Sequence, residues 1–201
     1  MSNIFDDIRL YLPKYLSDDE LTKLLSELRQ HSNNLDKRIY TSALKEEPVL
    51  FQGDGFSNIS MPDIANKKFY TGKGILVSNS CDSSLENSRV YNPYITFTPL
   101  FSLKKYEDGL LTTFDKSKVT SHIKSIREQG VSSFFYLPST ETGEEYFARF
   151  DLCFSMSLTK QLHDHLLENK LFTLSNYGFY LLLIKLSIHF SRVQEKVQRN
   201  P

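Results

Sequence analysis

The 201-residue chain balances 24 Lys and Arg against 24 Asp and Glu, so its formal net charge is zero. Hydrophobic residues make up 40% of the sequence and charged residues 24%, which is typical of one globular domain, with or without a helical appendage. The neutral balance disfavours a generally basic nucleic-acid-binding protein, and the few Gly (8) and Pro (7) exclude low-complexity and collagen-like chains. The 15 Phe and 11 Tyr favour a core that contains β-strands.

Cysteine content and apolar runs indicate the compartment. Cys81 and Cys153 are too few for a disulfide framework and cannot alone form a four-ligand zinc site. The N-terminus lacks the features of a signal peptide, and the longest apolar run, Phe179–Ile184, is far shorter than the roughly 20 residues of a membrane span. We expect a reduced, cytoplasmic protein with no membrane contact and no metal. The absence of a Gly-rich phosphate loop argues against a nucleotide cofactor.

Residues 1–47 are predicted to form an N-terminal helical segment. One helix is expected over Asn3–Leu12, ending before Pro13. A second begins at Ser17, where the serine and Glu20 form a capping pattern that is followed by leucines at helical spacing. Residues 35–47 are compatible with either helix or loop.

Residues 48–103 are predicted to form strands. Val49–Phe56 is typical of a strand that runs into a turn, Asn66–Lys68 of a polar loop, and Gly74–Asn79 of a short apolar strand. Tyr91–Leu100 is rich in aromatic and β-branched residues, with prolines near both ends. Because proline disturbs a central strand, we expect this segment to be a short or edge strand.

A charged insertion near 104–130 separates these strands from the next. Within it, Lys116–Glu128 has a helical pattern that Gly130 is placed to end. Val131–Pro138 and Glu145–Met156 then predict a β-hairpin. The second segment alternates strictly, so we expect one uninterrupted strand whose buried face carries the side chains of Tyr146, Ala148, Phe150, Leu152, Phe154 and Met156.

Two helices are predicted to close the chain within 157–201. The first begins near Ser157 and the second runs from Ser175 to about Gln198. The predicted fold class is therefore α+β. We expect a small, bent, mostly antiparallel, barrel-like sheet over 48–156, interrupted by the helical insertion and flanked by N-terminal and C-terminal helices.

Three short segments carry a resemblance to a known family. Gly53-Asp54 follows an apolar stretch, Gly74–Asn79 is a strand with a Ser-Asn end, and Tyr94–Leu100 is a third strand that contains Thr96 and Thr98. Together, over roughly residues 53–102, they resemble the MazF/PemK toxin family of SH3-like barrels that cut RNA. The resemblance implies an SH3-like barrel, RNA as a ligand, and a bacterial toxin–antitoxin or phage-defence setting.

One departure from the family pattern bears on catalysis. The family has an Arg-Pro pair just before its second strand, and that arginine is implicated in cleavage. Here the corresponding residues are Gly72 and Lys73. A lysine supplies charge but not the planar, bidentate donors of an arginine. If cleavage occurs, the resemblance implies that Lys73 acts together with Thr96 or Thr98.

Each of the other candidate groups has a structural interpretation as well as a functional one. Cys81-Asp82 lies where a strand ends, so it is either a nucleophile or ligand-facing pair, or a small residue beside a turn-forming carboxylate. His163 and His165 do not share a helix face, which argues against a metal site. Three carboxylates cluster at the predicted hairpin turn: Glu141, Glu144 and Glu145. Paired carboxylates can act as acid and base in a cleft, but at a polar turn they are usually solvated.

The last predicted helix carries cations spaced 4, 3, 4 and 3 residues apart, on one stripe. The stripe consists of Lys185, His189, Arg192, Lys196 and Arg199. Such a stripe can bind a phosphate backbone or an acidic partner. The solvated polar face of an amphipathic helix has the same pattern.

Three functions remain open on sequence alone. The first is a non-catalytic module that binds RNA or a protein partner within a larger assembly. The second is a divergent endoribonuclease of the MazF/PemK type, and the third is a structural subunit. The sequence leaves the partner's identity open, together with whether the chain forms a homo-oligomer.

Overall fold

The computed structural model describes residues 37–44, 46–87, 89–139 and 143–191. The helices predicted over Asn3–Leu12 and from Ser17 lie outside these residues. The described elements in chain order are β1 (Tyr40–Thr41), β2 (Gly55–Asp63), β3 (Lys68–Leu76), β4 (Tyr94–Ser102), α1 (Leu103–Leu111), α2 (Lys116–Arg127), β5 (Phe134–Leu137), β6 (Tyr146–Arg149), β7 (Phe154–Ser157), α3 (Lys160–Glu168), β8 (Lys170–Leu174) and α4 (Asn176–Ser191).

The strands form one antiparallel sheet. Its order is β1-β8-β2-β3-β4-β6-β5, and β7 also pairs with β4. The predicted α+β class is confirmed. Within the described residues β1 and β5 end the sheet and do not pair with each other, so the sheet is open and its closure into a barrel is not confirmed.

The β2–β3 hairpin confirms the polar loop predicted at Asn66–Lys68 only in part, because Lys68 already begins β3, and it does not confirm the strand at Val49–Phe56. Strand β2 begins only at Gly55 because the preceding residues form a tight turn. The Phe51 N–H donates to the Asp54 carboxylate at 2.9 Å, and the Asp54 N–H donates to the Phe51 carbonyl at 2.9 Å. Gly53 adopts a φ of +92° in this turn, a conformation that favours glycine.

Strand β4 is central, so the expectation of an edge strand is wrong. It pairs with β3 on one side and with both β6 and β7 on the other. On that second side, β7 ends its pairing opposite Phe97 and β6 begins opposite Leu100. Pro99 lies between these two ladders, and the gap explains how a central strand accommodates a residue without an N–H.

The hairpin of β5 and β6 is confirmed, but the single strand predicted over Glu145–Met156 is not. A 3-10 turn at Phe150–Leu152 divides it into β6 and β7. The two faces of β6 are both covered, so Phe147 is buried as fully as Ala148. Leu152, which we expected in the core, is 42% exposed because the turn directs it outward.

Helices cover both faces of the sheet. Helix α4 packs against one face through a cluster that includes Ile75 and Leu100, and α3 covers the other through Leu166 beside Leu76. Helices α1 and α2 pack over β5 and β6. Strand β8 lies between α3 and α4, so the expectation of two consecutive C-terminal helices was incomplete. No helix among the described residues combines the length and the apolar character that crossing a bilayer requires.

Candidate functional site

An open cleft of about 440 Å³ lies where β3, β4, α1 and β6 meet. We call it the Lys73 cleft. Two lysines, a carboxylate and several hydroxyl groups surround it, so it is a polar site at the border of the sheet. Its lining consists of Lys73, Leu100, Phe101, Ser102, Lys105, Tyr106, Glu144 and Tyr146.

Lys73 is the half-buried cation of this cleft. Its ammonium group lies 3.4 Å from a Glu144 carboxylate oxygen, hydrogen-bonds the Tyr146 hydroxyl, and is 4.4 Å from the centre of the Tyr146 ring. Burial lowers the pKa of Lys73, but the bonds to Tyr146 and Glu144 outweigh burial and raise the pKa above its ordinary value. Lys73 is therefore a fixed positive charge at neutral pH and not a proton acceptor.

Glu144 is the counter-ion of the cleft. The Tyr146 hydroxyl donates a hydrogen bond to it, and this bond, with the charges of Lys73 and Lys105, lowers the pKa of Glu144. The carboxylate side chain is 48% exposed, so an incoming anion can compete with it. Two lysines against one carboxylate leave the cleft with an excess of positive charge.

The neighbouring residue, Glu145, anchors the chain segment that leads into β6 and carries Glu144. Arg127 binds the Glu145 carboxylate in a bidentate ion pair, with nitrogen–oxygen distances of 3.0 and 2.7 Å, and the Tyr136 hydroxyl donates to it as well. The Glu145 carbonyl also accepts from the Leu103 N–H at 3.0 Å. Because Glu145 is held at four points, Glu144 is positioned beside Lys73. The interpretation of Glu144 and Glu145 as merely solvated is therefore incomplete, and Glu141 lies outside the described residues.

The structure does not bring Thr96 or Thr98 to Lys73. Thr98 is fully buried, and its hydroxyl donates to the Arg149 carbonyl. Thr96 forms a 2.8 Å hydrogen bond with the Ser155 hydroxyl, on the β7 side of the strand. Neither threonine lines the cleft, so the structure does not bring Lys73 together with Thr96 or Thr98 as the family resemblance implies.

Cys81 and Asp82 lie in a loop that is stabilised by its own hydrogen bonds. Asn79 accepts from the Asp82 N–H at 2.8 Å and donates to its carboxylate at 2.7 Å. Arg89 donates to both carbonyls and pairs with the Asp82 carboxylate at 3.3 Å. Asp82 therefore shapes a turn. Cys81 is an exposed free thiol, and Cys153 is free and half-buried.

The two histidines of α3 have separate partners. His165 contacts the Asn58 carbonyl at 3.0 Å, and His163 lies 3.7 Å from the Asp164 carboxylate. In the described part of the chain, no three His, Cys, Asp or Glu residues form a group that could hold a metal ion.

The predicted cationic stripe begins with a buried residue. Lys185 is 5% exposed, and its ammonium group donates to the carbonyls of Gln129 and Val131 at 2.8 and 2.6 Å. The expectation that Lys185 projects into solvent is therefore wrong, because α4 is buried on more faces than its apolar pattern indicated. His189 is half-buried, with its ring centre 5.8 Å from that of Phe150. The other three stripe residues lie outside the described residues: Arg192, Lys196 and Arg199.

Sequence reasoning missed most of the cleft. Lys105 belongs to the charged insertion, and Tyr146 was assigned to the core by alternation, although it is half-buried. One signal was available: Ser102 before α1 is an N-cap residue, and its side chain accepts from the Lys105 N–H at 3.4 Å. This cap places Lys105 one turn from the end of β4, in the same cleft as Lys73.

No protein-family model matches this chain, and no curated protein is similar to it at a significant level. The candidate site therefore stands on its own geometry and on the short resemblance described above.

Proposed function

We propose that the protein is a non-catalytic RNA-binding module that holds the phosphate backbone in the Lys73 cleft. The single observation that carries this proposal is the pair of lysines and the tyrosine hydroxyl around one open cleft, opposed by one exposed carboxylate. Ammonium groups and hydroxyls are the usual donors to phosphate oxygens. An RNA phosphate would replace Glu144 between Lys73 and Lys105.

The family resemblance supports RNA as the anionic ligand. In this proposal the open sheet is a divergent form of the SH3-like barrel of MazF/PemK toxins, and the protein works in the cytoplasm of a bacterium, in a toxin–antitoxin or phage-defence assembly. The cleft would serve as the RNA site of that assembly.

The arrangement of groups supports binding rather than cleavage. Attack by a ribose 2′-OH needs a base and a group that stabilises the developing charge on the phosphate. The pKa of Lys73 is raised, so its amine remains protonated and cannot act as the base. Thr98 is committed to the Arg149 carbonyl in the interior. Glu144 is the carboxylate of the cleft, but its pKa is lowered and a bound phosphate displaces it in this proposal, which disfavours the alternative, a divergent endoribonuclease.

Binding of a random-sequence RNA pool tests this proposal. We expect the double variant Lys73→Gln/Lys105→Gln to bind about tenfold or more weakly than the wild type in a filter-binding assay. The dependence of log affinity on log salt should also become shallower, by about 0.7 for each lost phosphate contact to a single strand. Lys160→Gln is the matched control, because Lys160 is 81% exposed on α3 and forms an ion pair with Asp164.

The recovered RNA is sized in the same assay. We expect it to be intact. Unchanged affinity of the double variant would contradict the assignment of the site. Cleavage that is lost in Lys73→Gln would show that the protein is the endoribonuclease of the alternative.

A further inference from the structure

The outer half of the β2–β3 hairpin has an open backbone edge. Strand β2 pairs with β3 from Lys68 onward, whereas β4 pairs with β3 only from Lys73 to Leu76. Beyond Leu100, the last two residues of β4 pair with β6 and have no partner in β3, and α1 begins directly after them at Leu103. Within the described residues, the first five positions of β3 (68–72) therefore have a strand on one side only.

The direction of the ladder identifies the free groups. The N–H of Val77 donates towards β4 at 2.8 Å, and the N–H of Leu76 donates towards the β2 side at 2.9 Å. In an antiparallel ladder successive residues alternate in this respect. Phe69 and Thr71 consequently direct their N–H and C=O groups to the open edge, whereas Tyr70 and Gly72 direct theirs to β2.

The side chains at this edge are apolar and basic. Phe69 is 77% exposed and Tyr70 is 44% exposed, beside two exposed lysines, Lys67 and Lys68. The carboxylate across from Lys68 in the register is that of Asp63, which accepts hydrogen bonds of 3.1 and 2.8 Å from Asn66 and offsets the charge of one of the two lysines. The edge therefore has an excess of positive charge.

We propose that an extended, acidic segment of another protein binds this edge as an added β-strand, paired with Phe69 and Thr71. Strand addition uses the free backbone groups for affinity and alternate side chains for specificity. The opposite edge of the hairpin is closed to such pairing because Pro62 has no N–H to donate. Charge complementarity with Lys67 and Lys68 selects acidic side chains on the partner.

A second copy of the chain does not fit this edge. In the antiparallel register that uses both residues of each copy, Phe69 of one chain would lie opposite Thr71 of the other. The turn that carries Lys67 and Lys68 of one chain would then approach Lys73 of the other. Like charges directly across a strand pair are destabilising, so the sequence disfavours self-pairing.

Selection from a library of short random peptides, displayed and passed over the immobilised full chain, tests this inference. We expect the retained peptides to be rich in Asp and Glu, with apolar residues at alternate positions. The variants Lys67→Glu/Lys68→Glu and Thr71→Pro, immobilised in the same way, should each retain at least about tenfold less of the selected peptides than the wild type. The control variant Lys160→Glu should retain the same amount as the wild type. Failure to retain any peptides on the wild type above these variants would overturn the inference.

Amide hydrogen exchange supplies a second readout that does not depend on the folding of a variant. In the free wild type, the amides of Phe69 and Thr71 should exchange fast and those of Tyr70 and Gly72 slowly. A retained peptide should slow Phe69 and Thr71 alone. Protection of both in the free protein would mean that a segment of this chain covers the edge, or a second copy if protection rises with concentration, and either result overturns the inference.

RNA provides the remaining comparison. The random-sequence pool should leave exchange at Phe69 and Thr71 unchanged and should not displace a retained peptide. Protection of these amides by RNA would assign the hairpin to RNA and would contradict a peptide site. Because this inference does not depend on the Lys73 cleft, loss of RNA binding in Lys73→Gln/Lys105→Gln leaves it intact.

Discussion

At the scale of single residues, the buried ion pair of Asp54 and Lys170 joins the turn before β2 to strand β8. The Asp54 side chain is fully buried and that of Lys170 is 7% exposed, with 2.9 Å between the charged groups. Lys170 also donates to the Val49 carbonyl at 2.9 Å. Burial raises the pKa of Asp54, and the Phe51 N–H and Lys170 only partly oppose that effect. The pair therefore holds two elements together at a considerable desolvation cost.

We predict that Lys170→Met lowers the free energy of unfolding by about 3–5 kcal/mol, because it leaves an unpaired buried carboxylate. The double variant Asp54→Asn/Lys170→Met should lose clearly less. Urea unfolding measures both, with Lys160→Met as a surface control that should change stability by less than about 1 kcal/mol. A loss under about 1 kcal/mol for Lys170→Met would show that the carboxylate is hydrated.

Lys185 predicts a specific pH dependence. Burial lowers its pKa to about 8, from an ordinary 10.5. Between these two values the unfolded chain binds a proton that the folded chain does not, so this residue makes stability rise with pH. Below about pH 8 both states are protonated, and the contribution is constant.

We expect the difference in unfolding free energy between the wild type and Lys185→Met to shift in favour of the wild type from about pH 7 to about pH 9.5. The upper limit avoids the ionisation of tyrosines in the unfolded chain, near pH 10. Burial raises the pKa of Tyr40 and Tyr136 in the folded state, so their effect above that limit has the opposite sign. If this free-energy difference does not change with pH, or changes in favour of Lys185→Met, the pKa of Lys185 is not lowered.

At the scale of elements, Gln129 ends α2 and also covers the outer edge of β5. Its backbone takes the left-handed conformation with φ of 57°, while Gly130 donates to the Ser125 carbonyl at 2.7 Å. The sequence analysis assigned the C-terminal cap to Gly130, one residue beyond the residue that has the left-handed conformation. The Gln129 side chain donates to the Tyr136 carbonyl at 2.8 Å and accepts from the Tyr136 N–H at 3.1 Å. An amide side chain thus takes the place of a neighbouring strand.

The variant Gln129→Asn separates the backbone role from the side-chain role. Asparagine tolerates the left-handed conformation but is one methylene too short to reach Tyr136. We expect a loss of about 1–2 kcal/mol, since two hydrogen bonds at a partly buried edge are broken. Exchange of the Tyr136 amide should become faster. Unchanged stability together with unchanged exchange would show that the side chain is dispensable.

The elements also show how far the sequence determines the fold. The β5–β6 hairpin and α2 were predictable because alternation and helical spacing are local patterns. The break at Phe150–Leu152 was not, since the alternation continues through it, and the residue of β4 beside the break, Pro99, which has no N–H for pairing, is distant in sequence. Strand β8 was missed because five residues between two helices carry too short a pattern, and their pairing with β1 and β2 is set by distant residues.

The candidate site was less predictable than the fold. Lys73 was identified through the resemblance, but its partners are Tyr146 and Glu144, more than 70 residues further along the chain. Lys105 was one of several lysines in a charged insertion. Such a site depends on where β4 ends and α1 begins, and on how Glu145 holds its loop. A one-dimensional pattern contains none of these distances.

At the scale of the whole molecule, zero net charge does not exclude local binding of an anion. Among the described residues, lysines outnumber carboxylates in the Lys73 cleft and, separately, at the outer edge of β3. Several other described cations are neutralised at close range, as Arg127 is by Glu145 and Arg149 by Asp151. We therefore expect binding that depends on salt and on a few residues, rather than the diffuse attraction of a basic protein.

The most direct test is the reactivity of individual lysines towards an acetylating reagent, measured by mass spectrometry with and without a saturating random-sequence RNA pool. If RNA phosphates bind in the Lys73 cleft, RNA should slow acetylation of Lys73 and Lys105 several-fold, while Lys160 on the opposite face of the sheet reacts at an unchanged rate. Equal reaction rates of Lys73 and Lys105 with and without bound RNA would contradict the account.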